Sequence, residues 1–314
     1  MMTRRGLLKG LAALGFSGVS FAAYAFGVEP RFMLSVTPYH LTPAGWPKGL
    51  HVRLAVLADI HAGEPYMPVE RIAEIVEKTN AVGADAILLL GDYGSNHRFL
   101  TRRISAAESA KALAGLGAPL GVHAVLGNHD WWDDPAAQAR GQGPSVGRLA
   151  LEHVGIPVYE NDAVRLAKSG QAFWLAGLGD QIAFRAGRVG RRARFRGVDD
   201  LPRTLAKVTD DAPVVLMAHE PDIFPNVPAR VSLTISGHTH GGQVRIAGYS
   251  PIVPSRFGNR YAYGHVVEGD RHLIVSGGLG CAKLPIRFGV PPEIVVIDLG
   301  SPGAGRRSPG FTPV

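Results

Sequence analysis

The residues of this chain that can do chemistry stand at the ends of apolar runs. Gly127-Asn128-His129-Asp130 follows the run from Gly121 to Leu126 and stops it with a polar cluster. A buried strand reads that way when it ends by delivering side chains into a site. Alone, the tetrapeptide is equally a turn, because Gly-Asn is a common turn pair. Four more apolar runs end alike, in Asp59-Ile60-His61, Gly91-Asp92, Ala218-His219 and Gly237-His238-Thr239-His240-Gly241-Gly242-Gln243. A lone histidine would read as a core or surface residue; carboxylate, amide and imidazole groups after five such runs point to a metal centre.

Two divalent cations held roughly 3.5–4 Å apart repel each other, so a site for both needs an anion between them and neutral donors around them. Asp92 is placed to bridge, while Asp59, His61, Asn128, His219, His238 and His240 supply oxygen and imidazole donors. Cys281 is the only cysteine, so thiolate ligation and intramolecular disulfides are both excluded. Oxygen and nitrogen donors suit Mn, Fe, Co, Ni or Zn. A metal pair lowers the pKa of a shared water from ~16 toward ~7 and provides hydroxide at neutral pH. Gly91, Gly127, Gly237, Gly241 and Gly242 allow the tight turns and close approach that such a site needs.

The elements that must position these groups read as α/β. Val52 to Ala58 is a strand, Val69 to Val82 an amphipathic helix, and Ala86 to Leu90 a second strand. Ser105 to Leu116 is a helix leading to the strand before Asn128, so the first half alternates strand and helix and implies parallel pairing. A third helix lies within Pro144 to Gly155. Pro157 to Tyr159, Ala163 to Leu166 and Phe173 to Gly177 are short strands that suggest a more antiparallel second sheet. Val214 to Met217 and Leu233 to Ser236 deliver His219 and His238, and His272 to Ser276 and Ile294 to Leu299 close the series. Val28 to Gly49 shows no period and reads as an extended lead-in.

Of 314 residues, 46% are hydrophobic, enough for one large domain, expected over 50–300 with a loose tail at 301–314. The formal charge is +7, but Arg4, Arg5 and Lys9 fall in an acid-free N-terminus, so no nucleic-acid partner is expected. Residues 1–27 combine that basic start, an uncharged middle and the small-x-small site Ala23-Tyr24-Ala25. They are expected to be a twin-arginine signal peptide that engages the export machinery, or else an uncleaved anchor. Either places the folded part in the periplasm or on the outer face of the cytoplasmic membrane. Arg185 to Arg203 holds seven arginines. It reads as a solvated loop or as a cationic rim for an anionic phosphate or lipid headgroups, which would bring the chain to a membrane surface. Trp131-Trp132-Asp133-Asp134 and the residues to Gly147 lie beside the site, as pocket lining or as packing.

The ordered blocks Asp59-x-His61, Gly91-Asp92, Gly127-Asn128-His129-Asp130, His219 and Gly237-His238-x-His240 resemble the calcineurin-like metallophosphoesterase superfamily from about Arg53 to Leu299. Gly242-Gln243 and Pro291-Pro292-Glu293 are similar to its bacterial branch of twin-arginine-exported phosphodiesterases. The resemblance implies a four-layer sandwich of two mixed β-sheets flanked by helices, with a dinuclear metal site at the C-terminal ends of the strands. It also implies two divalent ions (Mn, Fe, Zn or Co), one held by Asp59, His61, Asp92 and His240, the other by Asp92, Asn128, His219 and His238. It makes His129 the histidine that contacts the phosphoryl group and protonates the leaving oxygen, with Asp130 either orienting His129 or at the surface. The implied reaction is in-line attack of a metal-activated hydroxide on a phosphate ester, diester or monoester, without a covalent enzyme intermediate. A lipid-linked phosphate or pyrophosphate is the alternative substrate, and a metal-binding interaction scaffold the non-enzymatic alternative.

Overall fold

Two stacked sheets organise the chain. The computed structural model describes residues 18–190 and 192–300, so Arg4, Arg5 and the tail expected at 301–314 lie outside the described residues. The first sheet starts earlier than expected. Glu29–Phe32 is helical, and Ser35–Leu41 is a strand, β1, where an extended lead-in was expected. Its positions alternate between half-buried and exposed at first, and Pro38 sits within it. Both features belong to an edge strand, which needs no apolar run and tolerates a missing N–H.

The strands and helices of the first half follow in the expected order: β2 (Val52–Leu57), α1 (Val69–Ala81), β3 (Ala86–Leu89), α2 (Ala106–Leu113) and β4 (Val122–Ala124). Helix α2 begins where Ser105 and Glu108 form a reciprocal capping box. Three helices come next, α3 (Asn128–Trp132), a short one at Pro135–Arg140, and α4 (Val146–His153). The second half supplies β5 (Asp162–Lys168), β6 (Gln171–Gly177), the hairpin strands β7 (Phe184–Val189) and β8 (Arg192–Arg196), β9 (Val214–Met217), β10 (Val231–Ser236), β11 (Gly264–Glu268), β12 (Arg271–Val275) and β13 (Glu293–Leu299).

The first sheet has the order β1-β13-β2-β3-β4, and only β13 and β2 pair antiparallel. The second has the order β11-β12-β10-β9-β6-β5. Here the expectation of a more antiparallel sheet is corrected: β12, β10, β9 and β6 are parallel neighbours, and antiparallel pairing is confined to the edges. The short strands misled because a strand buried on both faces can be brief and still central. Pro157 to Tyr159 contributes only an isolated bridge from Val158 to Ala124. Arg185 to Arg203 is not a plain loop, since most of it folds as the β7–β8 hairpin.

Alternation along the strands builds the layers. Leu54 and Val56 point inward to a core shared with Phe173, Leu175, Val215, Met217, Leu233 and Ile235 of the second sheet. Ala55 and Leu57 point the other way, onto Ile72 and Ile75 of α1 and Leu113 of α2. On the far face of the second sheet, Leu216 and Leu273 pack with Leu201, Phe224 and Tyr261. Each such side chain contributes on the order of 1.5–3 kcal/mol on burial, and the sum fixes both sheets with their C-terminal strand ends at one rim.

Candidate active site

The rim is built from sharp turns. Asp59 and His61 follow β2, Asp92 follows β3, Asn128 opens α3 after β4, His219 follows β9, and His238 and His240 follow β10. Five of these, Asp59, His61, Asp92, His238 and His240, have φ between 47° and 68°. That left-handed region is unfavourable for residues with a Cβ, and such strain persists where the surroundings over-determine it, commonly at functional sites. Glycines make the turns fit. A Cβ on Gly127 would lie 2.5 Å from His219 Cε1, and one on Gly237 would lie 2.5 Å from Asp59 Oδ2.

All seven metal-type residues converge. Asp92 Oδ2 lies 3.4 Å from His61 Nε2 and 3.3 Å from His219 Nε2. Asp59 Oδ1 lies 3.4 Å from His240 Nε2, which is 3.2 Å from His61 Nε2. His238 Nδ1 and Asn128 Oδ1 are 2.8 Å apart. Asp59, His61 and His240 form one set able to hold a cation, and Asp59, Asp92 and His219 another. Backbone carbonyls fix the rings: His61 Nδ1 is 3.1 Å from Gly94 O and His219 Nδ1 is 2.5 Å from Leu90 O. With Nδ1 as donor, the His61 Nε2 turns its lone pair into the cluster; burial opposes a charge on His219, but Asp92 and Asp59 prevail and hold it well above the usual histidine range. His219 Nε2 is buried there without a hydrogen-bond partner.

Proton affinities follow from burial and neighbours. Burial pushes His61 down to about 3 despite Asp92, and it holds His240 well below the usual histidine range, so both rings are neutral donors. Burial pushes Asp59 up to about 7, against the pull of His219. Burial would raise Asp92 as well, yet His219, His129 and His61 around it hold it well below the carboxylate range. His129 goes the other way from the neutral rings. Burial opposes its charge, but Asp92 and Asp133 prevail and raise it.

The structure separates the roles of the two acids near His129. Asp130 is buried and makes no hydrogen bond to that ring; it accepts from the backbone N–H of Asp92 and Gly127, both at 2.8 Å, and of Tyr93 at 3.0 Å. It ties the turns after β3 and β4 together. The contact to His129 Nδ1 comes from Asp133 Oδ2 at 3.2 Å, one helical turn on. His129 and Asp133 also line a cavity of about 280 Å³ with Asn96 and Arg103. Of the two tryptophans, Trp131 is buried against Phe184, while Trp132 lies 5.3 Å from the His129 ring, stacks on Phe195 at 5.1 Å and carries the Arg185 guanidinium at 4.8 Å. The arginine-rich hairpin therefore abuts the site.

Sequence reasoning missed three groups here. Glu220 completes a third cation-type set with His219 and His238, and a carboxylate directly after a ligand histidine was the available signal. Asp180 lies beside Glu220 and is raised by burial and by that second carboxyl. Arg287 is fully buried and reaches the site through four carbonyl bonds, 3.4 Å from His240 Nδ1. No motif marked it. His123 and the pair His265–His272 lie elsewhere, bonded to Tyr159 and to each other. Cys281 is buried, and burial pushes its thiol up.

The buried His219 nitrogen facing Asp92, the neutral His61 and His240 rings and the anionic Asp92 suit divalent cations. A fold of two mixed sheets with such a centre at the strand ends defines a metal-dependent phosphoric ester hydrolase. The chain belongs to the calcineurin-like phosphoesterase family, whose profile matches residues 52–242. It is 29% identical over 307 residues to the uncharacterized metallophosphoesterase YkuE of Bacillus subtilis, covering 96% of this chain and 98% of that one. It is 26% identical over 309 residues to the phosphodiesterase YaeI of Escherichia coli, covering 95% and 100%. A putative metallophosphoesterase of Caenorhabditis elegans, F40B5.2, is 31% identical over 79% of this chain and 48% of its own length. The enzyme uses divalent metals, in keeping with its family.

Proposed function

We propose that the chain is an exported phosphodiesterase that acts outside the cytoplasm, and that it reaches that side through twin-arginine export. The observation that carries the catalytic reading is the convergence of Asp59, His61, Asp92, Asn128, His219, His238 and His240 at one rim, with His219 Nε2 buried 3.3 Å from Asp92 Oδ2. Asp59, His61, Asp92 and His240 would hold one divalent ion, and Asp92, Asn128, His219 and His238 the other. Bound there, the ions would supply Lewis-acid contacts to phosphate oxygens and an acidified water. Asp92 accepts from the His129 N–H at 2.7 Å, which fixes the bridging carboxylate against the helix that carries the acid. His129 holds its proton under the influence of Asp92 and Asp133 and delivers it to the departing oxygen. Asp130 keeps the two ligand turns in register.

A lipid-linked phosphate is favoured over a soluble one by a single feature, the arginine hairpin stacked on Trp132 beside His129. The test pairs metal analysis of the purified enzyme with hydrolysis of bis-p-nitrophenyl phosphate and p-nitrophenyl phosphate. About two metals per chain, faster diester turnover and its collapse in Asp92→Asn are expected. No bound metal and no turnover after reconstitution with Mn would sink the catalytic reading and leave the scaffold. Substituting Arg185 and Phe195 by Ala should raise KM for a phospholipid substrate far more than for bis-p-nitrophenyl phosphate.

A further inference from the structure

The expected cleavage site does not hang free. Residues 18–32 are helical and lie against the body of the enzyme. Ala25 is fully buried, and its carbonyl accepts from the Arg287 N–H at 2.9 Å. Glu29, 1% exposed, accepts from the Val290 N–H at 2.9 Å and the Gly289 N–H at 3.1 Å. Phe288 completes the seam, 4.7 Å from the Phe21 ring and 6.2 Å from Tyr24. These contacts end on the metal site. The Arg287 guanidinium donates to the carbonyls of Gly277, Gly280 and Val290, and the Gly280 N–H in turn donates to Asp59 O at 2.7 Å. The helix thus supports the turn that carries Asp59 and lies one residue's reach from His240.

Other apolar side chains of this segment are left uncovered. Phe26 and Val28 are each about two-fifths exposed and Phe32 is 69% exposed. The surface continues across the seam, because Val244 bridges Phe288 and leads into a loop whose Ile246, Tyr249 and Ile252 are 56%, 62% and 80% exposed. That loop directly follows the His240 turn. Apolar surface gathered next to an active site marks an interaction face. The chain itself indicates the occupant: from Gly10 to Val28 there is no charged residue, and Arg4, Arg5 and Lys9 precede. An uncharged, aromatic-bearing segment with a basic lead is the chemistry of a lipid interface, and it is unsuited to a water-facing protein contact.

We infer that the segment around Ala23-Tyr24-Ala25 is retained, as a docked helix that braces the metal-site turns and, with the 244–252 loop, seats the mouth of the active site on a lipid bilayer. Only the identification of that mouth rests on the proposed function. Retention and lipid contact are read without turnover, so their failure is distinguishable from failure of the catalytic reading. No helix among the described residues is long and apolar enough to cross a membrane, and contact from the surface requires none.

The full chain would be purified from cells by detergent extraction, its N-terminus sequenced and its intact mass measured. A start upstream of Ala25 is expected, and a chain beginning at Phe26 overturns the inference. The same protein would then be floated with phosphatidylcholine–phosphatidylglycerol vesicles, beside the variant Ile246→Asp/Tyr249→Asp/Ile252→Asp. A loss of about tenfold or more in vesicle partition, with unchanged hydrolysis of soluble bis-p-nitrophenyl phosphate, is expected from burying charge at an interface. Should that variant not fold, Phe32→Asp carries the same expectation. Equal flotation of wild type and variant overturns the lipid-facing surface, as does a lipid-free dimer that fails to float.

Discussion

His129 differs from its neighbours in the direction of its proton affinity. Burial leaves His61, His238 and His240 short of protons and so ready to donate lone pairs. Asp92 and Asp133 reverse that for His129, which stays protonated above the ordinary histidine pKa and can act as an acid near neutral pH. A group with a raised pKa does acid work at pH values below it and loses that work as pH rises through it. Asp133→Asn removes one of the three carboxylates that raise it, the one bonded to its ring, so the alkaline limb of kcat should move to lower pH. A pH–rate profile with an unmoved limb would show that Asp133 does not tune the acid. His129→Ala should cost ~10²–10⁴-fold in kcat with an alkyl phosphodiester. The loss should be much smaller with p-nitrophenyl leaving groups, which depart without protonation. Asp130→Ala should act differently again, because it frees three buried backbone N–H groups. A stability loss of about 1–3 kcal/mol is expected in denaturant melts, together with weaker metal binding.

Between residue and fold stand the turns that follow the strands, and their spacing is what leaves so little latitude. The Gly91 backbone sits at φ 91° against Gly127, and Gly127 in turn faces Asp92 and His219. Gly127→Ala should therefore displace both ligands, with loss of bound metal by mass spectrometry and of diester turnover, while far-UV circular dichroism stays unchanged. Normal metal content would show that the turn can yield. These same turns explain what was legible beforehand. β3 and β9 are unbroken apolar runs, β2 is one but for Arg53, and β10 alternates Val231, Leu233 and Ile235 with buried Ser and Thr; all four end in chemistry, so they and the seven converging side chains could be read directly from residue order. β1 could not, since an edge strand containing Pro38 has no apolar run, nor could the β7–β8 hairpin, whose alternating arginines imitate a loop. Arg287 was hidden for another reason: a residue that reaches a ligand across the fold needs no fixed spacing from it, whereas Asp133 stood in the stretch expected beside the site and its bond to His129 followed once that stretch proved helical. The order of the second sheet was also beyond reach, because strand direction there depends on which elements cover its outer face.

At the scale of the molecule, the site joins two halves that otherwise touch through an apolar core. Asp59, His61, Asp92 and Asn128 extend from the first sheet, and His219, His238 and His240 from the second. Without cations the rim concentrates a buried Asp92 carboxylate, a carboxyl on Asp59 and closely facing imidazole nitrogens, such as the 3.2 Å His61–His240 approach. That arrangement is held by the packing beneath it and by the hydrogen bonds that fix the His61 and His219 rings and the Asp130 turns. A ligand that binds the folded state alone adds RT ln(1 + [L]/Kd), about 2.7 kcal/mol at a hundredfold excess over Kd, which for a domain of this size corresponds to a rise of several degrees in Tm. Chelation should therefore lower Tm by at least that amount, and Mn should restore it. Because the ions would tie both rims, amide exchange should quicken on chelation at the C-terminal ends of β2, β3, β9 and β10 together, while the β1 edge stays as it was. Faster exchange in one sheet alone would mean that the metals are held within one half and that the core, not the site, joins the two sheets.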